Sequence, residues 1–141
     1  VYITRDADRE VAKILDFGIA KFLPSAAVQP TAMTESGLLV GTMQYMAPEQ
    51  LAGGEPTPLW DLWALTVVAY EMLAGTHPSP GVQAGNMFAA FEAEHWTPIG
   101  DHVPAAPHAL HEFFTRALAA DPASRPLSAQ SLVDQFEAAS S

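Results

Sequence analysis

One run of the chain, residues 59–73, restricts the fold more than any other, because it is apolar almost throughout. Its polar exceptions are Asp61, Thr66 and Glu71. A helix that is apolar nearly all round belongs inside a protein rather than on its surface. At 1.5 Å per residue this helix would span about 22 Å, which is the width of a small domain and too short for a bilayer. The run therefore predicts a buried central helix and no membrane-spanning segment.

The rest of the chain predicts an α+β fold that is mostly helical, with a small β hairpin in front. Short β-branched and aromatic runs favour strands over residues 1–3 and 11–15, with turn-like residues 4–10 between them. A third extended piece is expected over residues 19–22. Residues 23–39 have no period, and a loop of that length is usually functional. Further helices are expected to begin at Pro48 and to cover residues 86–94, 108–120 and 128–138, with a proline-rich loop over 97–107.

Apolar spacing predicts which faces of the shorter helices are buried. Residues three and four apart lie on the same side of a helix. Ser128 is the predicted N-cap of the last helix. The expected core faces are Met87, Phe88 and Phe91 in the first, Leu110, Phe113, Phe114, Ala117 and Leu118 in the second, and Leu132, Val133 and Phe136 in the third.

The charge of the chain is strongly acidic and unevenly distributed. Lys and Arg number 6 against 16 Asp and Glu, the net charge is −10, and no basic residue lies between Lys21 and Arg116. Such a chain does not suit binding to nucleic acid or to an anionic membrane surface. The ordinary interpretation is an acidic solvated face, and the functional alternative is attraction of a basic partner or substrate.

The absence of cysteine and the positions of the histidines limit the metal sites that the chain could form. The chain has no cysteine, which excludes disulfides and thiolate metal sites and is compatible with a reducing cytoplasm. His108 and His111 fall on one predicted helix face beside Glu112. This arrangement allows a metal site, but exposed histidines at the start of a helix are the commoner case.

Three segments carry a more specific signal. They are residues 11–21 (VAKILDFGIAK), 41–50 (GTMQYMAPEQ) and 61–75 (DLWALTVVAYEMLAG). In that order and spacing, and followed by Arg125-Pro126, they resemble the C-terminal lobe of a eukaryotic-like, bacterial-type Ser/Thr protein kinase. A lone Asp-Phe-Gly would be weak support, whereas four matches in order are specific. The resemblance covers essentially the whole chain.

The resemblance implies transfer of the ATP γ-phosphate to a Ser or Thr of a protein. Asp16 would bind the metal, because Mg²⁺ prefers carboxylate oxygen and bridges the nucleotide phosphates. Phe17 would be a packing element whose position differs between active and inactive states. Gly18 would let the backbone turn where a Cβ would obstruct it.

The resemblance also makes residues 23–49 the activation segment, which faces the substrate. In the family, phosphorylation of Ser or Thr in this segment orders it against basic residues. Thr42 would help to define the acceptor, and Tyr45 belongs to the same substrate loop. Ser and Thr are common in any flexible loop, so distance upstream of Gly41 is the guide to the phosphosites. That distance favours Thr34 and Ser36, with Thr31 third.

Two further roles are structural. Glu49 and Arg125 resemble the buried ion pair that anchors the substrate loop to the lower lobe. Asp61 resembles the acid that holds the backbone of the catalytic loop, and it would need those donors because an unpaired buried carboxylate is costly. Trp63 and Tyr70 are expected in the core.

Several parts of a complete kinase are not found in these residues. The sequence has no Gly-rich loop, no ATP-anchoring Lys and no His-Arg-Asp catalytic loop. Residues 1–3 resemble the strand that follows the catalytic loop, so the catalytic base is expected upstream of Val1. We expect the isolated chain to be inactive and to bind ATP and Mg²⁺ weakly. Its expected partners are a protein substrate, with basic character as one option, and the missing N-terminal half of the domain. The chain, residues 1–141, would be a partial kinase domain in three parts. These are the strands with Asp-Phe-Gly (1–22), the activation segment (23–49) and the helices of the C-terminal lobe (50–138).

The chain departs from the family pattern at three positions, and a second function is compatible with the same residues. Thr66 stands where the family usually has Gly, Ser79 replaces a usual Phe, and Leu59 replaces a frequent basic residue. The alternative function is a non-catalytic interaction module that keeps a docking surface. An unrelated small helical domain would require all four motif matches to be chance. Without the rest of the lobe, the apolar surface of residues 59–73 is expected to lie open.

Overall fold

The structure, a computed structural model, describes the backbone of residues 2–6 and 9–13 and, with side chains, residues 43–82, 86–93 and 95–141. Two compact units divide the chain into residues 1–32 and 33–141. The described part of the first unit is a β hairpin, and that of the second is a set of helices.

The hairpin consists of β1 (Tyr2–Asp6) and β2 (Arg9–Lys13), paired antiparallel. Tyr2 lies opposite Lys13 in this register. The predicted hairpin is thus confirmed, but the expected turn over 4–10 is wrong at both ends, because the strands extend to Asp6 and resume at Arg9. A backbone ladder can continue through polar residues, since the hydrogen bonds come from the main chain. The third extended piece expected over 19–22 lies outside the described residues.

Six α-helices occur in the described part of the second unit. A 3₁₀ turn over Pro122–Ser124 precedes the last of them. The helices are α1 (Pro48–Leu51), α2 (Pro58–Ala74), α3 (Met87–Glu92), α4 (Ile99–His102), α5 (His108–Ala117) and α6 (Ala129–Ser140).

Helix α2 is the predicted central helix, and it buries one face rather than all of them. Trp63 and Val67 are fully buried, and Tyr70 is nearly so. Gly75 ends the helix in the left-handed conformation, with φ of +71°, and its N–H donates to the Glu71 carbonyl. Apolar side chains also lie on the outer face of α2. The exposed ones are Leu65 (40%), Leu73 (43%) and Met72 (77%).

Aromatic rings fill the core on both sides of α2. Trp63 packs on Phe91 of α3 at 5.2 Å and on Trp96 at 5.4 Å between ring centroids. Further along the same helix, Tyr70 packs edge-on against Phe114 of α5 at 5.2 Å. Such pairs contribute about 0.5–1.5 kcal/mol beyond the area they bury. Aromatic contacts on the inner face of α2 therefore hold this helix against α3 and α5.

The buried faces of the shorter helices agree with the spacing only in part. The stripe on α5 is confirmed, since all five of its residues are buried. In α3, Phe88 was predicted inside but is 41% exposed, and Ala90 is buried instead. In α6, Val133 is 44% exposed, although Leu132 is buried as expected. Both helices pack through a face narrower than the apolar stripe, so the residue at its edge points to solvent.

One further boundary differs from the sequence prediction, and another agrees with it. The proline-rich loop over 97–107 contains α4, because a short helix needs no long apolar period. The N-cap of α6 is confirmed, since the Ser128 Oγ accepts a hydrogen bond from the Ser131 N–H at 3.1 Å. In the residues that the structure describes, no helix has the length and apolar character to cross a membrane.

Candidate functional site

The candidate site is the segment from Met43 to Leu51, which includes the described part, residues 43–50, of the second sequence motif. Met43–Met46 forms a turn closed by a 3.3 Å hydrogen bond from the Met46 N–H to the Met43 carbonyl. Ala47 and Pro48 are buried, and Pro48 opens α1, where its missing N–H costs nothing. The segment is thus folded back onto the helical body rather than left as an open loop.

Arg125 connects this segment to the far end of the chain. Its Nη1 and Nη2 atoms donate to Glu49 Oε1 and Oε2, each at 2.8 Å. The Nε atom donates to the Ala119 carbonyl at 2.8 Å, and Nη2 also donates to the Ala120 carbonyl at 2.9 Å. The guanidinium carbon lies 4.5 Å from the ring centre of Trp63. A paired carboxylate, two carbonyls and an aromatic face therefore surround the charge.

The burial of this pair is unequal. The Arg125 side chain is 3% exposed, and that of Glu49 is 24% exposed. A planar guanidinium that meets a carboxylate through two parallel bonds is the strongest geometry for such a pair. Removal of Glu49 would leave the Arg125 charge in a nearly dry environment, so Arg125 depends on its partner.

The turn before Arg125 positions its side chain. The Asp121 Oδ1 atom accepts from the Ala123 N–H at 2.9 Å and caps the 3₁₀ turn Pro122–Ser124. The Arg125 N–H then donates to the Pro122 carbonyl at 3.3 Å. These local bonds point Arg125 into the core without help from a long helix.

Two glycines shape the chain after Glu49. Gly53 has φ of +80°, a left-handed conformation that favours glycine. The Gly54 N–H donates to the Glu49 carbonyl at 2.8 Å. A Cβ at position 54 would lie 2.8 Å from that same oxygen, so a side chain there would displace the backbone of Glu49.

Tyr45 makes a second connection, to α2. Its hydroxyl donates to Glu71 Oε2 at 2.7 Å. Burial, followed by the hydrogen bond and the negative charge of Glu71, raises the pKa of Tyr45 to about 12. The phenol is therefore protonated and serves as a donor at physiological pH.

His77 makes a third connection. Its Nε2 atom lies 2.9 Å from the Gln44 carbonyl oxygen, and its Nδ1 atom accepts from the Ser79 N–H at 3.0 Å. The rings of His77 and Tyr45 meet edge to face at 6.0 Å. Gln44 and Tyr45 are thus held from the same end of α2 and the turn that follows it.

Asp61 is an exposed residue in the first turn of α2. Among the described residues, none donates a hydrogen bond to its carboxylate, so its proposed role toward a catalytic loop stays a prediction. A carboxylate at this end of a helix is favoured by the helix dipole. The other site predictions fall outside the described residues: Asp16, Phe17, Gly18, Thr31, Thr34, Ser36 and Thr42.

Two of the departures from the family pattern have a local explanation. The Thr66 hydroxyl, buried on α2, donates to the Leu62 carbonyl at 2.8 Å, so its polarity is satisfied within the helix. Ser79 is also buried, and its hydroxyl donates to the His95 carbonyl at 2.9 Å. Both changes are accommodated by hydrogen bonds rather than left unpaired.

The histidines on α5 gather no further metal ligands from the described part of the chain. The His108 and His111 rings stack at 6.1 Å, and the exposed His108 Nδ1 lies 3.6 Å from Glu112 Oε1. Among the residues with described positions, no group of three or more His, Cys, Asp or Glu side chains is placed to hold a metal.

The sequence interpretation did not include Glu71 and His77 in the site. A signal for Glu71 was available, because it is a carboxylate in an apolar run and such a residue requires a partner. His77 had no comparable signal, since a histidine in a turn between Gly75 and Pro78 is ordinary. His77 and Gln44 are 33 positions apart in the sequence, and only the fold brings them into contact.

Comparison with known families identifies the arrangement. The family described as "Protein kinase domain" matches residues 3–136. The Caenorhabditis elegans twitchin kinase region has a similar fold, with a TM-score of 0.58 over 68% of this chain and 17% of that one. At 24% identity, this likeness concerns the fold alone.

Several bacterial proteins are similar in sequence. Serine/threonine-protein kinase Pkn1 of Myxococcus xanthus is 36% identical over 123 residues, which is 87% of this chain and 17% of Pkn1. Kinase pkn2 of the same organism is 32% identical over 100% of this chain and 17% of its own length. PknA of Corynebacterium glutamicum is 49% identical over 71 residues, 50% of this chain and 14% of PknA. The chain thus spans less than a fifth of the length of each of these relatives.

Proposed function

Because this chain belongs to the protein kinase domain family, we propose that it forms the activation segment and most of the C-terminal lobe of a bacterial-type Ser/Thr protein kinase. The reaction of the whole enzyme would be transfer of the ATP γ-phosphate to a Ser or Thr of a protein substrate. Residues 1–22 would hold the Asp-Phe-Gly strand region, 23–49 the activation segment and 50–138 the helical body.

The bidentate contact between Arg125 and Glu49 is the observation that carries this proposal. It joins the end of the segment that would face the substrate to a point 76 positions further along the chain. Phosphoryl transfer depends on positioning more than on covalent chemistry by the protein, so a fixed substrate segment is what the reaction requires. Tyr45 would help to hold the same segment in place through its hydrogen bond to Glu71.

Further residues of the sequence motifs, beginning with Asp-Phe-Gly, would act at or near the nucleotide. Asp16 would bind Mg²⁺, a hard cation that takes carboxylate oxygen and would neutralise charge on the phosphates. Phe17 and Gly18 would set the position of that carboxylate. Thr42 would contact the catalytic loop and help to select Ser or Thr as acceptor, and Asp61 would hold the backbone of that loop.

The activation segment would be controlled by phosphorylation. Thr34 and Ser36 are the first candidates, followed by Thr31. A phosphate brings a charge of about −1.5 to −2 and orders a loop where a basic group can meet it. Lys21 is the nearest basic residue in this chain, because none lies between it and Arg116.

The 141-residue chain would not catalyse the transfer alone. It includes neither a Gly-rich loop nor an ATP-anchoring Lys nor a His-Arg-Asp loop, so Asp16 by itself would not organise ATP. The exposed apolar face of α2, with Leu65, Met72 and Leu73, is where the rest of the domain would pack. A cytoplasmic location stays a prediction that rests on the cysteine-free sequence.

A chimera tests the proposed function. This chain would replace the aligned region of Myxococcus xanthus Pkn1, whose own upstream residues then supply the missing parts. We expect ATP- and Mg²⁺-dependent phosphorylation of Ser or Thr in a peptide library, and loss of that activity in Asp16→Asn. The matched control is Asp134→Asn, an exposed acid on α6 that should leave the rate unchanged.

The outcomes separate function from folding. A chimera that unfolds cooperatively and binds Mg²⁺–ATP, yet transfers no phosphate, would contradict the proposal. Transfer that persists in Asp16→Asn would contradict the role of that residue. Phosphate appearing on Tyr instead of Ser or Thr would contradict the substrate class.

A further inference from the structure

We propose that His77 is a positioning residue of the substrate segment, residues 43–51: as the Nε2–H tautomer, it holds the Gln44 carbonyl and fixes the backbone ahead of the Glu49–Arg125 pair. The effect on substrate binding rests on the proposed function, whereas the anchoring itself does not. His77 lies outside the four sequence motifs, in the turn after α2.

Hydrogen-bond chemistry determines the tautomer. A backbone N–H can only donate, so the Ser79 N–H at 3.0 Å requires Nδ1 to be the acceptor. A carbonyl oxygen can only accept, so the Gln44 oxygen at 2.9 Å requires a proton on Nε2. A neutral imidazole with its proton on Nε2 satisfies both partners, and the opposite tautomer satisfies neither.

Burial makes this choice energetically significant. His77 is 9% exposed and Ser79 is 4% exposed, so water is a poor replacement for either partner. An unsatisfied buried donor or acceptor costs more than an ordinary hydrogen bond contributes. The Ser79 hydroxyl also donates to the His95 carbonyl at 2.9 Å, which holds in place the residue whose N–H His77 accepts.

The consequence is that two successive residues are held through different groups. Gln44 is held through its backbone by His77, and Tyr45 through its side chain by Glu71. The Tyr45 ring also packs against the His77 ring. A side-chain tether alone would allow the backbone to rotate about Tyr45, whereas the pair of tethers fixes both position and direction.

Substitution of His77 by asparagine or by glutamine tests the contacts of the two ring nitrogens separately. In His77→Asn the side-chain oxygen can still accept from the Ser79 N–H, but no group reaches Gln44. In His77→Gln the longer side chain can place an amide donor near the Gln44 carbonyl. The matched control is His95→Ala, because the His95 side chain is exposed and its contribution to this network is its backbone carbonyl.

The first test uses the 141-residue chain with ¹⁵N-labelled histidine, near pH 8. We expect the two-bond nitrogen–proton pattern of His77 to show the Nε2–H tautomer alone, with an Nε2 proton that exchanges slowly with water. An Nδ1–H tautomer, or the mixture of tautomers seen for a solvent-exposed ring, would overturn the proposal. This measurement needs no substitution and no activity.

The second test compares the variants. Hydrogen exchange in residues 43–47 should be roughly three- to tenfold faster in His77→Asn than in the unmodified chain, with His77→Gln partly restored and His95→Ala unchanged. In the Pkn1 chimera, KM for the peptide should rise by a similar factor while KM for ATP stays constant. Equal exchange in His77→Asn and His95→Ala would overturn the anchoring. An inactive chimera with the expected exchange would instead count against the proposed kinase function.

Discussion

At the scale of single residues, Arg125 shows how an ion pair can be built into a small core. Four hydrogen bonds from its guanidinium go to Glu49 and to two backbone carbonyls. Desolvation of a charge is costly, and here the compensation comes from several weak partners as well as from the carboxylate. The pair therefore specifies one position for residues 43–51 more than it adds net stability.

Replacement of Glu49 should expose this dependence. Glu49→Ala leaves the Arg125 charge buried, so we expect the free energy of unfolding to fall by about 3 kcal/mol, measured by urea denaturation. Glu55→Ala is the matched control, since Glu55 is exposed and should change stability by less than about 0.5 kcal/mol. Equal, small effects of both substitutions would mean that the pair is not buried in solution.

Burial of Tyr45, together with its contact with Glu71, predicts a pH dependence. The pKa of Tyr45 is raised from 10.0 to about 12 in the folded chain. Between those values the unfolded chain binds fewer protons than the folded one, so stability falls as pH rises; below pH 10 this residue adds no slope. In Tyr45→Phe the fall should be shallower, as followed by urea denaturation at several pH values. Because burial also raises the pKa of Tyr70 to about 12, part of the fall should remain.

An unchanged slope in Tyr45→Phe would contradict the assigned contact. Tyr70→Phe provides the comparison, since it should remove the other part of the slope. Tyr70 also donates to the Thr97 carbonyl, so this variant should lose stability at neutral pH as well.

At the scale of elements, the end of α2 determines how the following turn meets residues 43–51. Gly75 turns the chain in a left-handed conformation, and His77 then points back toward Gln44. Glycine at this place is common, because other residues meet a steric penalty there. The helix end and the anchoring histidine are thus parts of one local structure.

Gly75→Ala should cost about 1 kcal/mol, because alanine resists φ of +71° even though its Cβ would meet no atom within 4 Å. Gly100→Ala is the matched control. Gly100 lies in α4 outside the left-handed region, also with open space, so alanine should be neutral or stabilising by about 0.5 kcal/mol. Thermal unfolding of both variants measures the difference, and equal shifts in Tm would contradict the left-handed cap.

The sequence predicted the elements better than it predicted their orientation. Hairpin, long helix and the α5 stripe were predictable because period and composition act locally. Phe88 and Val133 were assigned to the core and are exposed, because apolar spacing cannot tell which edge of a stripe meets a neighbour. The Glu49–Arg125 contact was expected from the motifs, whereas the His77–Gln44 contact depends on tertiary packing that no local pattern encodes.

At the scale of the whole molecule, the outer face of α2 is the feature that the described contacts leave unexplained. Leu65 and Leu73 are 40% and 43% exposed, and Met72 is 77% exposed. Large apolar side chains exposed along one helix are typical of an interaction site or of a tendency to associate. It agrees with the expectation that the rest of a kinase domain would cover this helix.

The exposed face should bind a hydrophobic dye. We expect ANS fluorescence with the isolated chain, reduced in the double variant Leu65→Gln, Met72→Gln. Leu127→Gln is the control, because Leu127 is 65% exposed but lies between the 3₁₀ turn and α6 rather than on α2. A monomer with a sharp cooperative melt and no ANS binding would contradict an open apolar face.

Phosphate transfer, measured side by side on the isolated chain and on the Pkn1 chimera, is the decisive measurement for the proposed kinase function. With labelled ATP and Mg²⁺, the chimera should phosphorylate Ser or Thr and lose this activity in Asp16→Asn, while the isolated chain should transfer nothing. Transfer by the isolated chain that disappears in Asp16→Asn would contradict the claim that these residues need the missing parts. A folded chimera without transfer would contradict the claim that they belong to a working kinase.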